Sequence, residues 1–364
     1  MFDLIPIESY TDVYYYVLLF IIIIASIYLF KYNLSDRSNT ITIQILSVFL
    51  FGLAIYYMGT RQISGRYYGD MATYNRTFLK IQEEGQNAIP KKDYFFYYFM
   101  YLCTLIMSNK FFFAVCSFLY FLPIYIVSKV NFKKGSFYAI LLLIGSFSYW
   151  AYGTNGIRNG LATSCFLLVF ATNKKWLQGL ILFLSIQLHS SMIIPTAAFL
   201  VAYFYKNPKH IIYGWLACIP ISLIVGGPIQ NLFAGLMEDD RTFYLTDGNI
   251  NNDQFSSTGF RWDFVIYSAS AVFAGWYYIF KKNFEDQRYN LIFGSYVIAN
   301  AFWILVIKAN FSNRFAYLSW FMMALVIIYP LLKQYLFEKN HQKILTYIML
   351  AYFGFTFIMN VILS

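Results

Sequence analysis

Charged residues are scarce in this chain, which has 17 acidic and 27 basic side chains among 364 residues. Soluble domains are usually about a quarter charged, whereas this sequence is 12% charged and 59% hydrophobic. Its apolar runs approach the roughly 17–25 residues that a helix needs to cross hydrocarbon. The net charge of +10 does not indicate nucleic-acid binding, because the basic residues lie between apolar runs and form no basic domain. The composition therefore predicts an all-α, polytopic membrane protein.

Cysteine is also sparse. The four cysteines lie in apolar stretches and no two form a CxxC pair, so neither a disulfide framework nor a zinc site is indicated. The segment 1–12 is acidic and lacks the basic region of a cleavable signal peptide. We therefore expect the first apolar run to remain as a membrane span.

Apolar segments predict about twelve transmembrane helices in one integral membrane domain, 1–364. They lie at 13–30, 40–58, 110–128, 136–152, 157–173, 175–189, 191–205, 210–227, 262–280, 289–307, 314–332 and 342–362. A further segment, 94–107, is short and begins with aromatic residues, so we expect an interfacial or re-entrant helix that closes an outer loop at 59–109. If it is not a span, the lysine-rich loops share one side, which the positive-inside rule makes cytoplasmic. The second long hydrophilic loop, 228–261, is then also outside, as are both termini.

This topology sorts the cations by type. The predicted cytoplasmic loops contain 13 lysines and 2 arginines, whereas the outer segments contain 7 arginines and 5 lysines. Lysine suffices as a point charge for orientation, while the planar fork of arginine suits phosphate. The arginine-rich outer face therefore predicts an anionic ligand on that side.

The first candidate site is 59–74, GTRQISGRYYGDMATY. Its charged and aromatic residues are Arg61, Arg66, Tyr67, Tyr68, Asp70 and Tyr74. Two guanidinium groups flanked by tyrosines are suited to a phosphate and sugar rings together. We expect Asp70 to be ion-paired with one of the two arginines. The alternative is a solvated loop whose arginines face lipid headgroups.

Two further segments carry candidate residues. Arg158 begins an apolar helix beside Asn159, where an arginine is costly unless it is paired, and a helix N-terminus attracts anions. The alternative is an arginine that extends to the membrane surface. His189 lies in a His-Ser-Ser turn and is a natural proton acceptor, although a lone histidine at a helix end is more often structural. The acidic run 238–240 suits a metal, but such runs on polar loops are more often solvated.

In chain order, Gly69-Asp70-x-x-x-Tyr74, Ile157–Ala162 and Leu188–Ser191 resemble the motifs of EpsG-type exopolysaccharide polymerases, which are related to Wzy-type O-antigen and capsule polymerases. The resemblance covers roughly residues 50–205. Related proteins often carry Gly-Thr-Asp-x-x-x-Tyr, whereas Arg61 follows Thr60 here and the acid comes later. Asp70 is therefore a less direct match than Arg158 or His189.

The resemblance implies a GT-C-like bundle in the bacterial cytoplasmic (inner) membrane. It implies glycosyl transfer between repeat units on undecaprenyl pyrophosphate, facing the periplasm or exterior and needing no metal or cofactor. His189 or Asp70 would be the base. The proposed substrate contacts are Arg61, Arg66, Tyr67, Tyr68, Tyr74, Arg158, Asn159, Arg241, Arg261 and Arg314. The implied partners are the lipid-linked oligosaccharide, the bilayer, a chain-length regulator and a flippase, with no nucleic acid.

Other functions are open at this stage. An O-antigen-ligase-like glycosyltransferase uses the same chemistry, and the sequence does not separate it from a polymerase. A lipid-linked oligosaccharide flippase or transporter would need cations along a path to both faces, whereas the predicted midspan positions are nearly free of charge. A membrane O-acyltransferase would also use a histidine, and His189 alone does not distinguish it.

Overall fold

The computed structural model describes residues 5–32, 37–236, 259–309 and 312–363, without the side chains of 37–40 and 230–236. All regular secondary structure in this part of the chain is helical and no strand occurs in it, which confirms the predicted all-α class. The helices are α1 (Tyr10–Lys31), α2 (Arg37–Gly59), α3 (Gly65–Tyr68), α4 (Met71–Glu84), α5 (Tyr94–Thr104), α6 (Asn109–Phe132), α7 (Ser136–Ile144), α8 (Tyr149–Thr154), α9 (Ile157–Leu167), α10 (Lys175–Leu188), α11 (Ile193–Phe204), α12 (Pro208–Leu236), α13 (Trp262–Trp276), α14 (Gln287–Leu305), α15 (Ser312–Trp320), α16 (Met323–Lys333) and α17 (His341–Phe357).

Six helical stretches in the described residues are long and apolar enough to cross a membrane. They are Ile7–Lys31, Ile41–Gly59, Asn109–Ile144, Pro208–Ile229, Ser312–Lys333 and Glu338–Ile362. The predicted count of about twelve is not confirmed. Several predicted spans form shorter helices: α10 has 14 residues, which extend about 21 Å at 1.5 Å per residue. That length is less than the hydrocarbon thickness of about 30 Å.

The first part of the outer loop predicted at 59–109 is largely helical. It contains α3 and α4, and α4 buries Met71, Tyr74, Phe78 and Ile81. Spacings of three and four residues place these side chains on one face of a helix. This face is apolar although the segment as a whole is polar, so the overall polarity of the segment did not indicate the helix.

The second predicted loop, 228–261, begins as helix. The backbone leaves helical geometry at Val225 (φ −122°, ψ 23°), and α12 then continues to Leu236. Pro228 lies near the start of this continuation, where the first turn of a helix tolerates proline. Residues 237–258, with Arg241 and the acidic run 238–240, lie outside the described residues.

The chain forms two compact units, each with its own helix contacts. The first consists of Met1–His189 and Leu331–Ser364. In it α2 packs on α6, α9 packs on α6 and α10, and α5 contacts α4 and α10. The helix α5 has 11 residues and is not among the six candidate spans. This unit contains most of the predicted site residues.

The second unit, Ser190–Pro330, packs α14 against α11, α12 and α15. A buried polar cluster lies within these apolar helices. The Asn300 side chain donates to Ser268 Oγ (3.1 Å) and Ser319 Oγ (3.0 Å) and accepts from Trp215 Nε1 (2.8 Å). Buried amide groups need hydrogen-bond partners. These hydrogen bonds therefore account for the presence of polar side chains among the apolar helices.

Candidate active site

Three segments of the first unit meet at the carboxylate of Asp93. Arg158 Nη1 lies 2.7 Å from Asp93 Oδ2, and His189 Nε2 lies 3.9 Å from the same oxygen. The side chains of Asp93 and His189 are only 2% and 5% exposed, and that of Arg158 is 16% exposed. The two distant motifs around Arg158 and His189 are therefore joined through a buried acid.

The ends of three helices hold this cluster. Asp93 directly precedes α5, Arg158 is in the first turn of α9, and His189 follows α10. Asp93 adopts left-handed backbone geometry (φ 48°, ψ 42°), which aspartate tolerates better than most residues. Its carbonyl oxygen accepts the Phe96 N–H at 3.0 Å and so caps the helix. The same residue thus starts α5 and supplies the shared carboxylate.

Two tyrosines complete the surroundings of Arg158. Its Nε donates to the Tyr74 hydroxyl at 3.2 Å, and its guanidinium lies 5.7 and 5.5 Å from the ring centroids of Tyr74 and Tyr97. Burial raises the pKa of Tyr74 to about 12, and the nearby Arg158 opposes this shift. The phenol is therefore neutral at ordinary pH. The cluster contains an oriented cation, a buried anion, an imidazole and a neutral phenol.

Arg61 lies in a different environment from Arg158. Its side chain is buried, with 4% of the residue exposed. Nη1 donates to the Met58 carbonyl oxygen, and Nη2 donates to that of Thr154 at 3.1 Å. Burial lowers the pKa of Arg61 to about 10, so the group stays charged near neutrality. Arg61 joins the end of α2 to the end of α8.

Arg66 and Asp70 are both exposed. Arg66 lies 5.4 Å from the ring centroid of Tyr67, which is 40% exposed, whereas Tyr68 is 2% exposed. The Tyr68 ring lies 5.7 Å from Arg61. Among the described contacts, no ion pair joins Asp70 to Arg61 or Arg66, so the expected pairing is not observed.

Asp70 is anchored through its backbone. Its N–H donates to Asn155 Oδ1 at 2.7 Å. The preceding Gly69 has φ +46°, and a Cβ there would lie 2.7 Å from the same oxygen. A glycine is required because both the backbone conformation and the close approach disfavour any side chain. The hydrogen bond links the start of α4 to the loop before α9.

The remaining predicted contacts are spread over the chain. Asn159 is half-buried beside Arg158 on α9, and its carbonyl oxygen accepts from Thr163 Oγ1 at 2.8 Å. In the second unit, Arg261 forms a two-point contact with Asp263, at 2.9 and 2.5 Å, and Arg314 is half-buried on α15. Arg241 lies outside the described residues.

Sequence reasoning missed Asp93 and Tyr97. Asp93 is the acid directly before the aromatic run 94–101, in a chain with few acids. That position was the sign in the sequence that Asp93 belongs to the candidate site, but Asp93 lies 65 residues before Arg158 and 96 before His189. No local spacing rule connects positions so far apart.

Comparison with known proteins gives one family. The sequence profile described as the EpsG family matches residues 61–364, which includes every member of the cluster around Asp93. No curated protein and no solved structure matches the chain. Because the match covers most of the sequence, the chain belongs to the EpsG family.

Proposed function

We propose that this protein joins oligosaccharide repeat units carried on undecaprenyl pyrophosphate, at the cluster of Asp93, Arg158 and His189. Membership of the EpsG family supports a membrane polymerase of polysaccharide biosynthesis in general terms. The observation that carries the specific proposal is the buried contact of a guanidinium and an imidazole with one carboxylate. These are the groups that a metal-independent transfer from a pyrophosphate needs.

The proposed reaction is a displacement at the anomeric carbon of the lipid-linked donor glycan. The acceptor hydroxyl oxygen forms a bond to that carbon, and the bond to the pyrophosphate oxygen breaks. His189 accepts the hydroxyl proton on the ring nitrogen that does not face Asp93, and the Asp93 carboxylate beside Nε2 stabilises the resulting imidazolium. The separation of 3.9 Å is longer than a hydrogen bond, but catalytic contacts often shorten when substrate binds.

Arg158 is proposed to stabilise the charge that develops on the leaving pyrophosphate. Two of its N–H groups contact Asp93 and Tyr74. A guanidinium has further N–H donors, which are suited to phosphate oxygens. A fixed donor that faces developing charge lowers the barrier more than a mobile one, because it needs no reorganisation.

The other predicted substrate contacts have different roles in the proposal. Tyr67 and Arg66 are exposed beside each other and are suited to a sugar ring and its phosphate. Tyr68 and Tyr74 are buried and are better suited to holding the buried Arg61 and the half-buried Arg158. Asn159 adjoins Arg158, while Arg241, Arg261 and Arg314 are proposed contacts of the distal half.

Asp70 is a weaker base candidate than His189. It is exposed and makes its described contact through its backbone N–H, whereas His189 is buried beside Asp93. We propose that the site faces the periplasm or exterior. This orientation is supported by the lysine-rich composition of the loops predicted to be cytoplasmic.

The deciding experiment is analysis of the glycans made by a deletion strain. A missing polymerase leaves single repeat units, and the intact gene restores long chains. A missing ligase instead leaves long chains on the lipid carrier, and a missing flippase leaves units on the cytoplasmic side. Either of the last two results would contradict the proposed function.

A further inference from the structure

We propose that a cavity between the end of α2 and the start of α6 binds the pyrophosphate of a second lipid-linked molecule, separate from the one at Arg158. This inference rests on the proposed function, because transfer between two lipid-linked glycans needs two lipid pyrophosphates at once. The cavity has a volume of about 420 Å³, and Arg61 and Lys110 are among its lining residues. Pockets for small ligands usually have about 300–1,000 Å³.

The buried charge of Arg61 is the main observation. Within the described residues, this guanidinium forms no ion pair, and its Nε has no hydrogen-bond partner. Its other two nitrogens contact neutral carbonyl groups of Met58 and Thr154. A buried charge is costly unless an opposite charge compensates for it. An anion in the adjoining cavity would supply that opposite charge.

The start of α6 adds further positive potential. This helix has 24 residues and begins after Ser108, whose hydroxyl accepts the Phe111 N–H at 3.4 Å. The first turn of a helix carries partial positive charge from its unpaired N–H groups. Lys110 lies in that turn and is exposed. The cavity therefore combines a fixed buried cation, a mobile cation and a helix N-terminus.

The position of the cavity favours a lipid over a soluble anion. It lies where the candidate span Ile41–Gly59 ends and the candidate span Asn109–Ile144 begins. Its rim includes Tyr56 and Phe111, which are 46% and 59% exposed. Exposed aromatic rings at the end of a span are typical of the membrane interface. A headgroup in the cavity can thus keep its chain in hydrocarbon.

The two sites use different groups. Arg158 contacts Asp93 and Tyr74, whereas Arg61 contacts Met58 and Thr154. Neither arginine shares a hydrogen-bond partner with the other. Arg158 therefore serves the leaving pyrophosphate, and Arg61 with Lys110 holds the lipid pyrophosphate of the acceptor unit.

The test is equilibrium binding of farnesyl pyrophosphate to the full-length protein in phosphatidylcholine nanodiscs, with empty nanodiscs subtracted. We expect two bound molecules per chain. Lys110→Ala should weaken one of them about threefold to fivefold, as for a partly exposed charge pair. Lys91→Ala is the matched control, because Lys91 is exposed and outside the cavity, and it should leave both affinities unchanged.

Arg158→Ala separates the two proposals. If it weakens only the binding event that Lys110→Ala does not affect, both sites are supported. If it changes neither event, the proposed function fails while the cavity site stands. Two results would overturn the cavity site: unchanged binding in Lys110→Ala, or equally tight occupation by phosphatidylglycerol or inorganic pyrophosphate. A single bound molecule that Lys110→Ala weakens would instead count against the site at Arg158.

Discussion

At the scale of single residues, the shared carboxylate of Asp93 defines the candidate site. It lies 2.7 Å from Arg158 and 3.9 Å from His189, so it acts on both the proposed anion-binding group and the proposed proton acceptor. A buried carboxylate beside an arginine is stable only while the pair is intact. Substitutions in this cluster should therefore affect function through charge as well as shape.

Arg158→Lys is expected to reduce polymerisation about 10- to 100-fold, in line with the loss of a charged hydrogen bond. A lysine ammonium cannot replace the two-point contact with Asp93 and Tyr74. The measurement is glycan chain length and rate in a complemented deletion strain at matched expression. Arg76→Lys is the control, because Arg76 is exposed and its guanidinium donates to Thr73 Oγ1 on the same helix. Normal chains from Arg158→Lys would exclude the proposed role.

His189→Ala is expected to lower turnover by about 10²–10⁴, the usual effect of removing a general base, while donor binding remains. Asp93→Asn should lower turnover about 10- to 100-fold, because it removes the charge beside Arg158 and His189. Purified enzyme and lipid-linked substrate provide the measurement.

Asp70→Asn is the control for that pair, since Asp70 is exposed and makes its described contact through its backbone N–H. It should retain most activity. If His189→Gln remains active and Asp70→Asn does not, Asp70 is the base and His189 is structural.

At the scale of elements, α4 holds part of the candidate site in place, although the polarity of its sequence did not indicate a packed helix. It connects Asp70 at one end with Tyr74 in the cluster, and its buried face includes Phe78, whose ring lies 5.2 Å from that of Phe112 on α6. This packing fixes the position of Tyr74 against Arg158. The helix thus acts as a rigid support for the site.

Phe78→Ala should destabilise the fold by about 3–5 kcal/mol, the usual effect of removing a buried phenylalanine ring. Phe78 is 0% exposed, whereas the neighbouring Leu79 is 40% exposed and Leu79→Ala should have a much smaller effect. Thermal unfolding of the two variants in the same detergent measures the difference. Equal melting temperatures would show that α4 does not pack as described.

At the scale of the whole molecule, the topology decides which face the cluster meets. Only six helical stretches of the described chain are long enough candidates for spans, and one of them begins at Asn109, after α5. The proposed exterior orientation requires that α5 does not cross and that α6 does. The lysine-rich loops favour this arrangement.

Cysteine labelling tests this topology in a chain without its four native cysteines. A cysteine at the exposed position 86 should react with a membrane-impermeant reagent added from outside, and one at the exposed position 134 should react only after the membrane is opened. These positions flank α5 and α6. Labelling of both from the same side would overturn the topology, because it requires either a second crossing or none.

The sequence by itself determined the all-helical class and indicated two motifs of the candidate site. Long apolar runs can satisfy their backbone groups in a membrane only as helices or closed barrels. Arg158 and His189 were detectable because a charged or titratable residue beside an apolar helix is unusual. The helical class and the two motifs were both inferred from residues that are neighbours in the chain.

Only the tertiary structure decided which acid joins those motifs and what Arg61 contacts. Asp93 meets Arg158 and His189 because the ends of α5, α9 and α10 converge. Arg61 reaches Thr154, 93 residues along the chain, through the end of α8. Such contacts depend on how helices pack, and residue spacing within a single segment does not encode that packing.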